Sequence, residues 1–236
     1  MEFKSVLAET LHKAGITLSE KQISQAVLFT QKMVQVNESM NLTAITEAAA
    51  MAEKHWLDSL AAGRVHLTAG EQVLDVGSGA GFPGIPLHIM FPKASLTLLD
   101  SLQKRLNFIE EACAFADIPV PVLLHARAEE AGKNKQYREQ YDTVLSRAVA
   151  NLTTLCEYCL PFVKVGGRMI AYKGPGAEDE LSAAMSAIEK LGAEVEKVER
   201  FVLPGGEERN LIYLRKNTPC APCYPRNAKA IKNKPL

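Results

Sequence analysis

The sequence predicts an α/β protein in which a helical N-terminal part precedes a mostly parallel β-sheet that ends in an antiparallel hairpin. Apolar residues recur at helical spacing through about the first seventy residues, and short apolar runs then alternate with helical stretches. Two strand-like runs near the end are joined by a short glycine-containing turn with no helix between them. Alternating strands and helices are typical of a parallel sheet that is covered by helices on both faces.

Residues 1–69 are expected to form a cap of three helices. The first helix ends at Gly15, and the second begins with a capping box in which Ser19 precedes Gln22 by three positions. The third helix is expected over roughly residues 47–62. The apolar residues of the first two helices recur every three or four positions, which is the spacing of residues on one helix face.

Residues 70–216 are expected to form the main domain, and residues 217–236 a basic tail that contains proline. Five strands are predicted at the runs QVLDV, SLTLLD, VPVLLHA, YDTVLS and GRMIAYK. Helices are predicted between them near residues 84–91, 102–116, 152–163 and 178–191. The final hairpin is predicted from the runs AEVEKVERFVLPG and RNLIYLRK.

The composition is typical of a water-soluble globular protein of 236 residues, with 47% hydrophobic residues and 27 basic against 27 acidic residues. No apolar run approaches the roughly 18 residues needed to cross a bilayer, and the first residues, MEFKSVLAET, lack the pattern of a secretion signal. We therefore expect a cytoplasmic protein whose five cysteines are thiols. We also expect it to act as a monomer without binding membranes.

The neutral net charge hides an uneven distribution. Seven basic residues and no acidic residue lie between Arg209 and the C-terminus, so residues 1–208 hold the other 20 basic residues against 27 acidic ones. A basic tail on an acidic body suggests a polyanionic partner that binds at one edge of the protein. The flexible basic side chains expected to contact its phosphates are Arg226, Lys229, Lys232 and Lys234. A solvated terminal extension is the alternative.

A glycine-rich loop, GSGAGFPG at residues 77–84, follows the first predicted strand and precedes a helix. Glycine permits positive φ angles and lets backbone N–H groups approach a ligand closely at the end of a strand and the start of a helix. Two patterns fit the loop. The dinucleotide pattern GxGxxG begins at Gly79, whereas the acidic-x-GxGxG pattern of S-adenosylmethionine (SAM) methyltransferases begins at Asp75 and includes Gly77 and Gly79.

Position relative to the first strand favours the SAM pattern. The first glycine of a dinucleotide loop lies close to the end of the strand, and Gly79 lies too far beyond it. In the SAM pattern the carboxylate of Asp75 can face the cationic methionine end of the cofactor. Asp100 ends the second strand, where a carboxylate can bind ribose hydroxyls in either cofactor class, although it could instead cap the following helix. Ala128 and Glu129 follow the third strand, where adenine would bind; a solvated loop position is the alternative for Glu129.

The glycine loop is part of one of seven strings that occur in a characteristic order: NLTAI, HWLDSL, DVGSGAGFPGIPL, DSLQKR, RAEE, SRAVA and YKG. In order and spacing, they resemble the bacterial 16S ribosomal RNA guanine-N7 methyltransferase family, formerly called glucose-inhibited division protein B. The resemblance extends over about residues 41–214, and the FPGIPL extension is more specific than the glycines. It implies a Rossmann-like class I SAM-dependent fold and methylation of N7 of a guanine in the 530 loop of 16S RNA, as free RNA or in the small ribosomal subunit.

The resemblance also implies which residues contact SAM, namely Gly77, Phe82, Ala128, Glu129 and Arg147. Arg147 ends the fourth predicted strand and Lys173 ends the fifth, so both lie at the edge of the sheet where a ligand is expected. An arginine or lysine that donates to guanine O6 could aim N7 at the methyl group, because O6 and N7 share one edge of the base. We expect Arg147 and Lys173 to be catalytic, with solvent exposure as the alternative for Lys173.

The sequence argues against two other methyl acceptors. Methylation of an exocyclic amine is helped by an Asn/Asp-Pro-Pro-aromatic loop after the fourth strand, but the chain has Ser146, Arg147 and Ala148 there. Methylation of a pyrimidine carbon needs a cysteine nucleophile, but Cys156 and Cys159 come later, on an apolar stripe that predicts core positions. Guanine N7, by contrast, has an exposed lone pair and no proton to remove.

Other clusters give weaker indications. Cys220 and Cys223 could join the earlier cysteine pair in a zinc site, but no further short-spaced pair supports this, and we expect no metal. His55 and Asp58 lie one helical turn apart and could form an acid–base pair, although a hydrogen bond from cap to core is favoured.

Two other functions remain open from the sequence. An NAD(P)-dependent oxidoreductase is favoured by the glycine pattern that begins at Gly79. A non-catalytic RNA-binding ribosome assembly factor could keep the same fold. Direct SAM binding would argue against the first alternative, and catalytic turnover would argue against the second.

Overall fold

A computed structural model describes residues 2–236 and contains a seven-stranded sheet. The strands are β1 Gln72–Val76, β2 Ser95–Asp100, β3 Val122–His125, β4 Tyr141–Arg147, β5 Val163–Lys173, β6 Ala193–Val202 and β7 Glu208–Lys216. Their order across the sheet is β3-β2-β1-β4-β5-β7-β6, and β7 runs antiparallel to both of its neighbours while β1 to β5 pair in parallel. The predicted fold class is confirmed, and β7 lies between β5 and β6.

Helices cover both faces of the sheet. They are α1 Glu2–Lys13, α2 Glu20–Met40, α3 Ala48–Met51, α4 Gly84–Met90, α5 Gln103–Phe115, α6 Ala128–Ala131, α7 Leu152–Cys159, α8 Ala177–Lys190 and α9 Ala228–Asn233. A π-helical segment, Ala52–Leu57, continues α3, and 3₁₀ turns form at Ala61–Gly63 and Leu160–Phe162. Among residues 2–236, no helix is both long enough and apolar enough to cross a membrane.

Most helix boundaries follow local sequence signals. Gly15, with a φ of 74°, lies two residues after the end of α1, and Ser19 and Gln22 form the predicted capping box of α2. The helix predicted to reach residue 163 ends as an α-helix at Cys159, because Pro161 has no N–H to donate and the chain tightens into a 3₁₀ turn. The short helices α6 and α9 were not predicted.

The N-terminal helices and the sheet share one hydrophobic core. Phe29 of α2 and Trp56 of the π-helical segment are completely buried in the same cluster as Leu98 of β2 and Ile170 of β5. A second cluster fills the opposite face of the sheet, beneath α7 and α8. The cap predicted over residues 1–69 is therefore packed continuously onto one face of the sheet, which fixes the position of His55 and its neighbours relative to the strand ends.

Residues 217–236 fold back onto the second face of the sheet. Cys220 and Ile231 are buried there. Arg138, in the loop before β4, donates hydrogen bonds to the carbonyl oxygens of Cys220, at 2.6 Å, and Tyr224, at 2.7 Å. The alternative of a solvated terminal extension is therefore wrong for most of this segment, because buried residues and hydrogen bonds from Arg138 hold it against the body.

Candidate active site

The loop after β1 is wound tightly onto the sheet. Its glycines with positive φ are Gly77 at 76°, Gly79 at 56° and Gly81 at 94°. Gly84, the first residue of α4, donates its N–H to Asp75 Oδ2 at 2.9 Å, and a Cβ added to it would lie 2.5 Å from Leu98 Cδ2. The loop therefore depends on the conformational freedom and small size of glycine.

Asp75 anchors this loop from below. Its carboxyl group is completely buried, and this burial raises its pKa to about 7. Oδ2 accepts the hydrogen bond from Gly84, whereas Oδ1 has no hydrogen-bond partner among the described residues. The structure thus differs from the expectation that Asp75 faces a ligand, because its carboxyl group lies under the loop and binds backbone there.

A first cavity of about 310 Å³ opens at the carboxyl ends of β1 to β4. Its lining residues are Val76, Gly77, Leu99, Asp100, Ser101, Arg105, Ala126, Arg127, Ala128, Glu129, Ala148, Val149 and Tyr158. Four of the residues predicted to bind the cofactor therefore lie together: Gly77, Asp100, Ala128 and Glu129. Ligands of open α/β sheets bind at this edge, and the volume lies within the range of small-molecule sites.

Backbone and carboxylate groups meet at one side of this first cavity. Asp100 accepts hydrogen bonds from Gly79 N and Leu102 N, each at 2.9 Å. Gly79 therefore contributes to the site through its backbone. The alternative of Asp100 as the N-cap of α5 is wrong, because Leu102 takes that position and the only backbone N–H that Asp100 binds at the start of this helix is that of Leu102. A Cβ added to Gly77 would overlap Val149, so a side chain at this position would push the two walls of the cavity apart.

A second cavity, of about 590 Å³, adjoins the first. Its lining residues are Ile45, Lys54, His55, Asp58, Arg147, Ala148, Tyr172, Lys173, Gly174, Glu180, Phe201, Glu207, Arg209, Asn210 and Leu211. Ala148 lines both cavities and has a φ of 58°, a conformation that L-residues other than asparagine and aspartate rarely adopt. This residue marks the place where the contents of the two cavities would meet.

Arg147 lines the second cavity and is held in place by the N-terminal helices. Its NH1 donates to the carbonyl oxygen of Lys54, at 3.0 Å, and to Asp58 Oδ2, at 3.1 Å. The guanidinium carbon lies 5.6 Å from the ring centroid of Phe82. Phe82 is itself buried in an aromatic cluster beneath the glycine loop, where it contacts Arg147 and His55, and its cofactor contact stays a prediction.

Asp58 also binds a second arginine. Arg209 Nε lies 3.2 Å from Asp58 Oδ1, and Arg209 NH2 donates to Glu207 Oε2 at 2.7 Å. Glu207 in turn pairs with Lys54. The expected hydrogen bond from cap to core is therefore confirmed for Asp58, which accepts from Arg147 of β4 and also pairs with Arg209 of β7 in the cavity.

His55 lies between the glycine loop and the second cavity. Its ring stacks on Phe82 with centroids 4.8 Å apart, and Nε2 lies 2.8 Å from Thr43 Oγ1. Nδ1 is buried without a hydrogen-bond partner among residues 2–236. Burial and the positive charge of Arg147 lower the pKa of His55 to about 4, so the ring is neutral at pH 7.

Lys173 lines the same cavity with only 9% of its side chain exposed. Its Nζ donates to the carbonyl oxygen of Ala150 and pairs with Glu180 Oε2, both at 2.7 Å. The alternative expectation of a solvated lysine is wrong, because these partners hold the ammonium group inside the cavity. Its catalytic role stays a prediction.

The predicted RNA-binding residues lie outside both cavities. Lys229, Lys232 and Lys234 are exposed on and after α9. Arg226 differs from them, because its guanidinium group forms a bidentate pair with Glu157 of α7. The expectation of a flexible Arg226 is therefore wrong, since a phosphate would have to compete with a buried carboxylate for this group.

The cysteines do not form a reactive or metal-binding cluster among the described residues. Cys156 and Cys159 are completely buried in the core beneath α7, as predicted, and burial raises the pKa of Cys156 to about 12. Cys220 is buried and Cys223 is exposed. Among residues 2–236, no group of three or more histidine, cysteine, aspartate or glutamate side chains could hold a metal ion.

Sequence reasoning missed the contribution of the final hairpin to the second cavity. Phe201 of β6 and Arg209 and Asn210 of β7 line it together with Glu207 from the turn. The string EERN at the start of β7 was the available signal, but placing it at the site required the position of β7 beside β5. That position follows from tertiary pairing and is not encoded in a local motif.

Comparison with known proteins identifies the family. The family model described as GidB, rRNA small subunit methyltransferase G, matches residues 22–212. The chain belongs to this family. The resemblance inferred from the motifs is confirmed, as is the prediction of a methyltransferase of the small-subunit rRNA class.

Two relatives of the GidB family show how far the similarity extends. A ribosomal RNA small subunit methyltransferase G from Exiguobacterium sp. (strain ATCC BAA-1283 / AT1b) is 43% identical over 235 residues, which cover 99% of each chain. The protein of the same name from Halalkalibacterium halodurans is 44% identical over 230 residues, or 97% of each chain. The similarity therefore includes the N-terminal helices and the C-terminal segment as well as the sheet.

Solved structures with lower identity share the fold. TrmN from Thermus thermophilus aligns with a TM-score of 0.53 and 18% identity, covering 80% of this chain and 52% of that chain. TYW2 from M. jannaschii, solved in complex with AdoMet, aligns with a TM-score of 0.50 and 15% identity, covering 63% of this chain and 70% of that chain. At these identities the comparison supports the fold alone.

Proposed function

We propose that this GidB-family protein transfers a methyl group from SAM to N7 of a guanine in the 530 loop of 16S ribosomal RNA. The observation that carries the proposal is the pair of adjoining cavities at the carboxyl ends of the parallel strands, which share Ala148. One cavity suits a cofactor and the other a nucleobase.

The residues of the first cavity fit SAM. Gly79, which does not line the cavity but binds Asp100 through its N–H, leaves open space where a Cβ would project, since the nearest atom is 4.0 Å away. Asp100 offers a carboxylate for ribose hydroxyls. Ala128 and Glu129, at the start of α6, line this cavity, and we assign them to the adenine. When bound, SAM supplies an electrophilic methyl group on a sulfonium. The same glycine loop could serve a dinucleotide, but membership of a methyltransferase family favours SAM.

The second cavity is nearly balanced in charge. Its four cationic side chains are each paired with at least one of its three carboxylates: Arg147 with Asp58, Lys173 with Glu180, Lys54 with Glu207, and Arg209 with both Asp58 and Glu207. A phosphate entering this cavity would have to compete with these carboxylates for cations that are already paired. The arrangement suits an uncharged base with both donor and acceptor groups.

Catalysis at N7 requires positioning more than proton transfer. The N7 lone pair is available at neutral pH, and a donor to O6 would orient the base, a role that suits Arg147 or Lys173. The purine gains positive charge during the reaction, and Asp58 and Glu180 lie in the same cavity to stabilise it. A base held in RNA structure must leave its stack to enter such a cavity.

The RNA backbone is proposed to bind outside the cavities. Lys229, Lys232 and Lys234 form an exposed basic group without nearby acidic residues in sequence, and they suit phosphate contacts. We expect Arg226 to contribute less than these lysines to phosphate binding, because Glu157 already neutralises its charge. The substrate would be 16S RNA, alone or within the small ribosomal subunit.

The proposal is tested in two steps. Calorimetric titration of the purified protein with SAM, and separately with NAD and NADP, establishes the cofactor. Methylated guanines are then mapped by chemical cleavage at N7-methylguanine in 16S RNA from cells with and without the gene. Binding of SAM and the loss of one N7-methyl group in the 530 loop are expected. Binding of NAD(P) without SAM, or unchanged methylation in the deletion strain, would refute the proposal.

A further inference from the structure

The C-terminal segment, residues 217–236, packs behind the first cavity. We propose that it positions the wall that holds the adenine of SAM, with Arg226 as the main positioning residue. This inference rests on the proposed function, because it assigns a role in binding the same cofactor. It also gives Arg226 a task other than the phosphate contact expected from the sequence.

The first connection runs from Arg226 through α7 to the cavity. Glu157 of α7 has 1% of its side chain exposed, and its Oε1 accepts hydrogen bonds from Arg226 N, at 2.7 Å, and Arg226 Nε, at 2.9 Å. Its Oε2 accepts a further bond from Arg226 NH2 at 2.7 Å. The next residue, Tyr158, lines the first cavity. A buried, charge-assisted pair therefore fixes the part of α7 that carries a cavity residue.

The second connection runs through Arg138 to α6. Besides its bonds to the C-terminal segment, Arg138 NH1 donates to the carbonyl oxygen of Gly132 at 3.0 Å. Gly132 directly follows α6, which carries Ala128 and Glu129 of the cavity. Pro225 also lies against this glycine, since a Cβ added to Gly132 would lie 3.1 Å from Pro225 Cγ. The C-terminal segment is thus connected to the end of α6 through the Arg138 side chain and through Pro225.

The wall that these contacts support has little intrinsic stability. The helix α6 is four residues long, and an isolated helix of this length is unstable in water. The helix follows β3, which lies at the edge of the sheet and pairs with a strand on one side only. Its position therefore depends on packing against α7 and the C-terminal segment. Because binding free energies are reciprocal, SAM should also stabilise the attachment of this segment.

The test compares two variants that each lose a partly buried ion pair. Arg226→Met removes the pair with Glu157, and Arg168→Met removes the pair with Glu71 near the amino ends of β1 and β4. The arginine side chains are similarly exposed, 24% for Arg226 and 31% for Arg168. We expect calorimetry to show SAM affinity about five- to tenfold weaker in Arg226→Met, and unchanged in Arg168→Met even where both lower the melting temperature. Arg226→Lys, which keeps the charge, should recover part of the affinity.

A second measurement uses the unaltered protein. Trypsin should cleave after Lys229 and Lys232 more slowly when SAM is present at saturating concentration, because the cofactor and the attached segment stabilise each other. If Arg226→Met does not fold, the cleavage rates alone test whether the C-terminal segment supports SAM binding. Unchanged SAM affinity in folded Arg226→Met, or equal cleavage rates with and without bound SAM, would overturn the inference while leaving the proposed function intact. Failure of the unaltered protein to bind SAM would instead refute the proposed function, and this inference with it.

Discussion

Arg147 donates a hydrogen bond to Asp58 at 3.1 Å, and this contact joins the end of β4 to the N-terminal helices inside the second cavity. The same carboxylate lies 3.2 Å from Arg209 Nε on the final hairpin. Three distant parts of the chain therefore meet at one carboxylate. Its position fixes two guanidinium groups, and the remaining N–H donors of these groups can bind a base.

We predict that Asp58→Asn lowers the rate of methyl transfer without weakening SAM binding. The amide keeps the size of the side chain but loses the charge that holds Arg147 and Arg209. A hydrogen bond between charged groups contributes about 1.5–3 kcal/mol, so the single-turnover rate should fall by roughly 10- to 100-fold. The measurement is single-turnover methylation of small ribosomal subunits at saturating SAM, together with calorimetry for SAM affinity.

Asp142→Asn provides the control for this prediction, as an ion-paired aspartate away from the cavities. Asp142 pairs with Lys164 at 2.9 Å, and it accepts a bond from Gln72 N at the amino end of β1, the opposite edge of the sheet. This variant should methylate RNA at the normal rate. A normal rate in Asp58→Asn as well would show that the carboxylate does not orient the catalytic groups.

Gly79→Ala is predicted to weaken SAM binding selectively. Gly79 has a φ of 56°, so alanine introduces strain of roughly 1–2 kcal/mol, and its methyl group would project into space that we assign to the cofactor. Gly15→Ala is the control, because Gly15 has a φ of 74° and equally open surroundings but lies between α1 and α2. Both variants should lose similar stability by thermal denaturation.

SAM affinity separates these two glycine variants. We expect calorimetry to detect no binding, or much weaker binding, in Gly79→Ala and normal binding in Gly15→Ala. Equal affinities would mean that Gly79 serves the loop conformation alone, and the cofactor would have to bind elsewhere.

His55 is predicted to make stability depend on pH. Its pKa in the folded protein is about 4, against 6.5 in the unfolded chain, so the unfolded state binds more protons between these values. The neutral ring contributes its full stability above pH 6.5, and this contribution is lost as the pH falls towards 4. His55→Gln should remove about 3 kcal/mol of the difference in unfolding free energy between pH 7 and pH 4.

Comparing the unaltered protein with His55→Gln separates the pH effect of His55 from that of Asp75. The pKa of Asp75 is raised to about 7 in the folded state, so its contribution changes in the opposite direction over the same pH range. Because Asp75 is present in both proteins, its contribution cancels in the difference between their denaturant unfolding curves at each pH. Parallel pH profiles for the two proteins would show that the His55 ring does not stay neutral.

The sequence predicted the elements that local patterns encode. The capping box at Ser19 and the strand that leads into the glycine loop are set by neighbouring residues, and both appear in the structure. The position of Arg147 at the ligand-binding edge followed from its place at the end of a strand. These features need no knowledge of long-range packing.

The remaining features depend on contacts between distant residues. Asp75 was expected to face a ligand, but the alternation of side chains along a buried strand cannot tell which polar group a carboxyl group will meet. Arg226 was expected to be flexible, because nothing near it in sequence indicates a partner, and Glu157 lies 69 residues away. The meeting of Asp58 with Arg209 likewise required the packing of the cap and the hairpin.

The last prediction concerns the exposed lysines of the C-terminal segment. Replacing Lys229, Lys232 and Lys234 with glutamine should weaken RNA binding mainly at low salt, because each phosphate contact releases counterions. The slope of log affinity against log salt should fall by up to about two to three, and SAM affinity should stay unchanged, since Arg226 and its pair with Glu157 are retained. Binding is measured by filter retention of 16S RNA across a series of salt concentrations.

A triple variant of Lys4, Lys13 and Lys21 is the control, because these exposed lysines lie in or next to the N-terminal helices and removing them changes the net charge by the same amount. If RNA phosphates contact the C-terminal segment, only the first variant should change the slope by this much. Equal changes in both variants would indicate a response to net charge alone. If replacing Lys229, Lys232 and Lys234 leaves the slope unchanged, the RNA backbone must bind another surface. Residues 217–236 would then only support the first cavity.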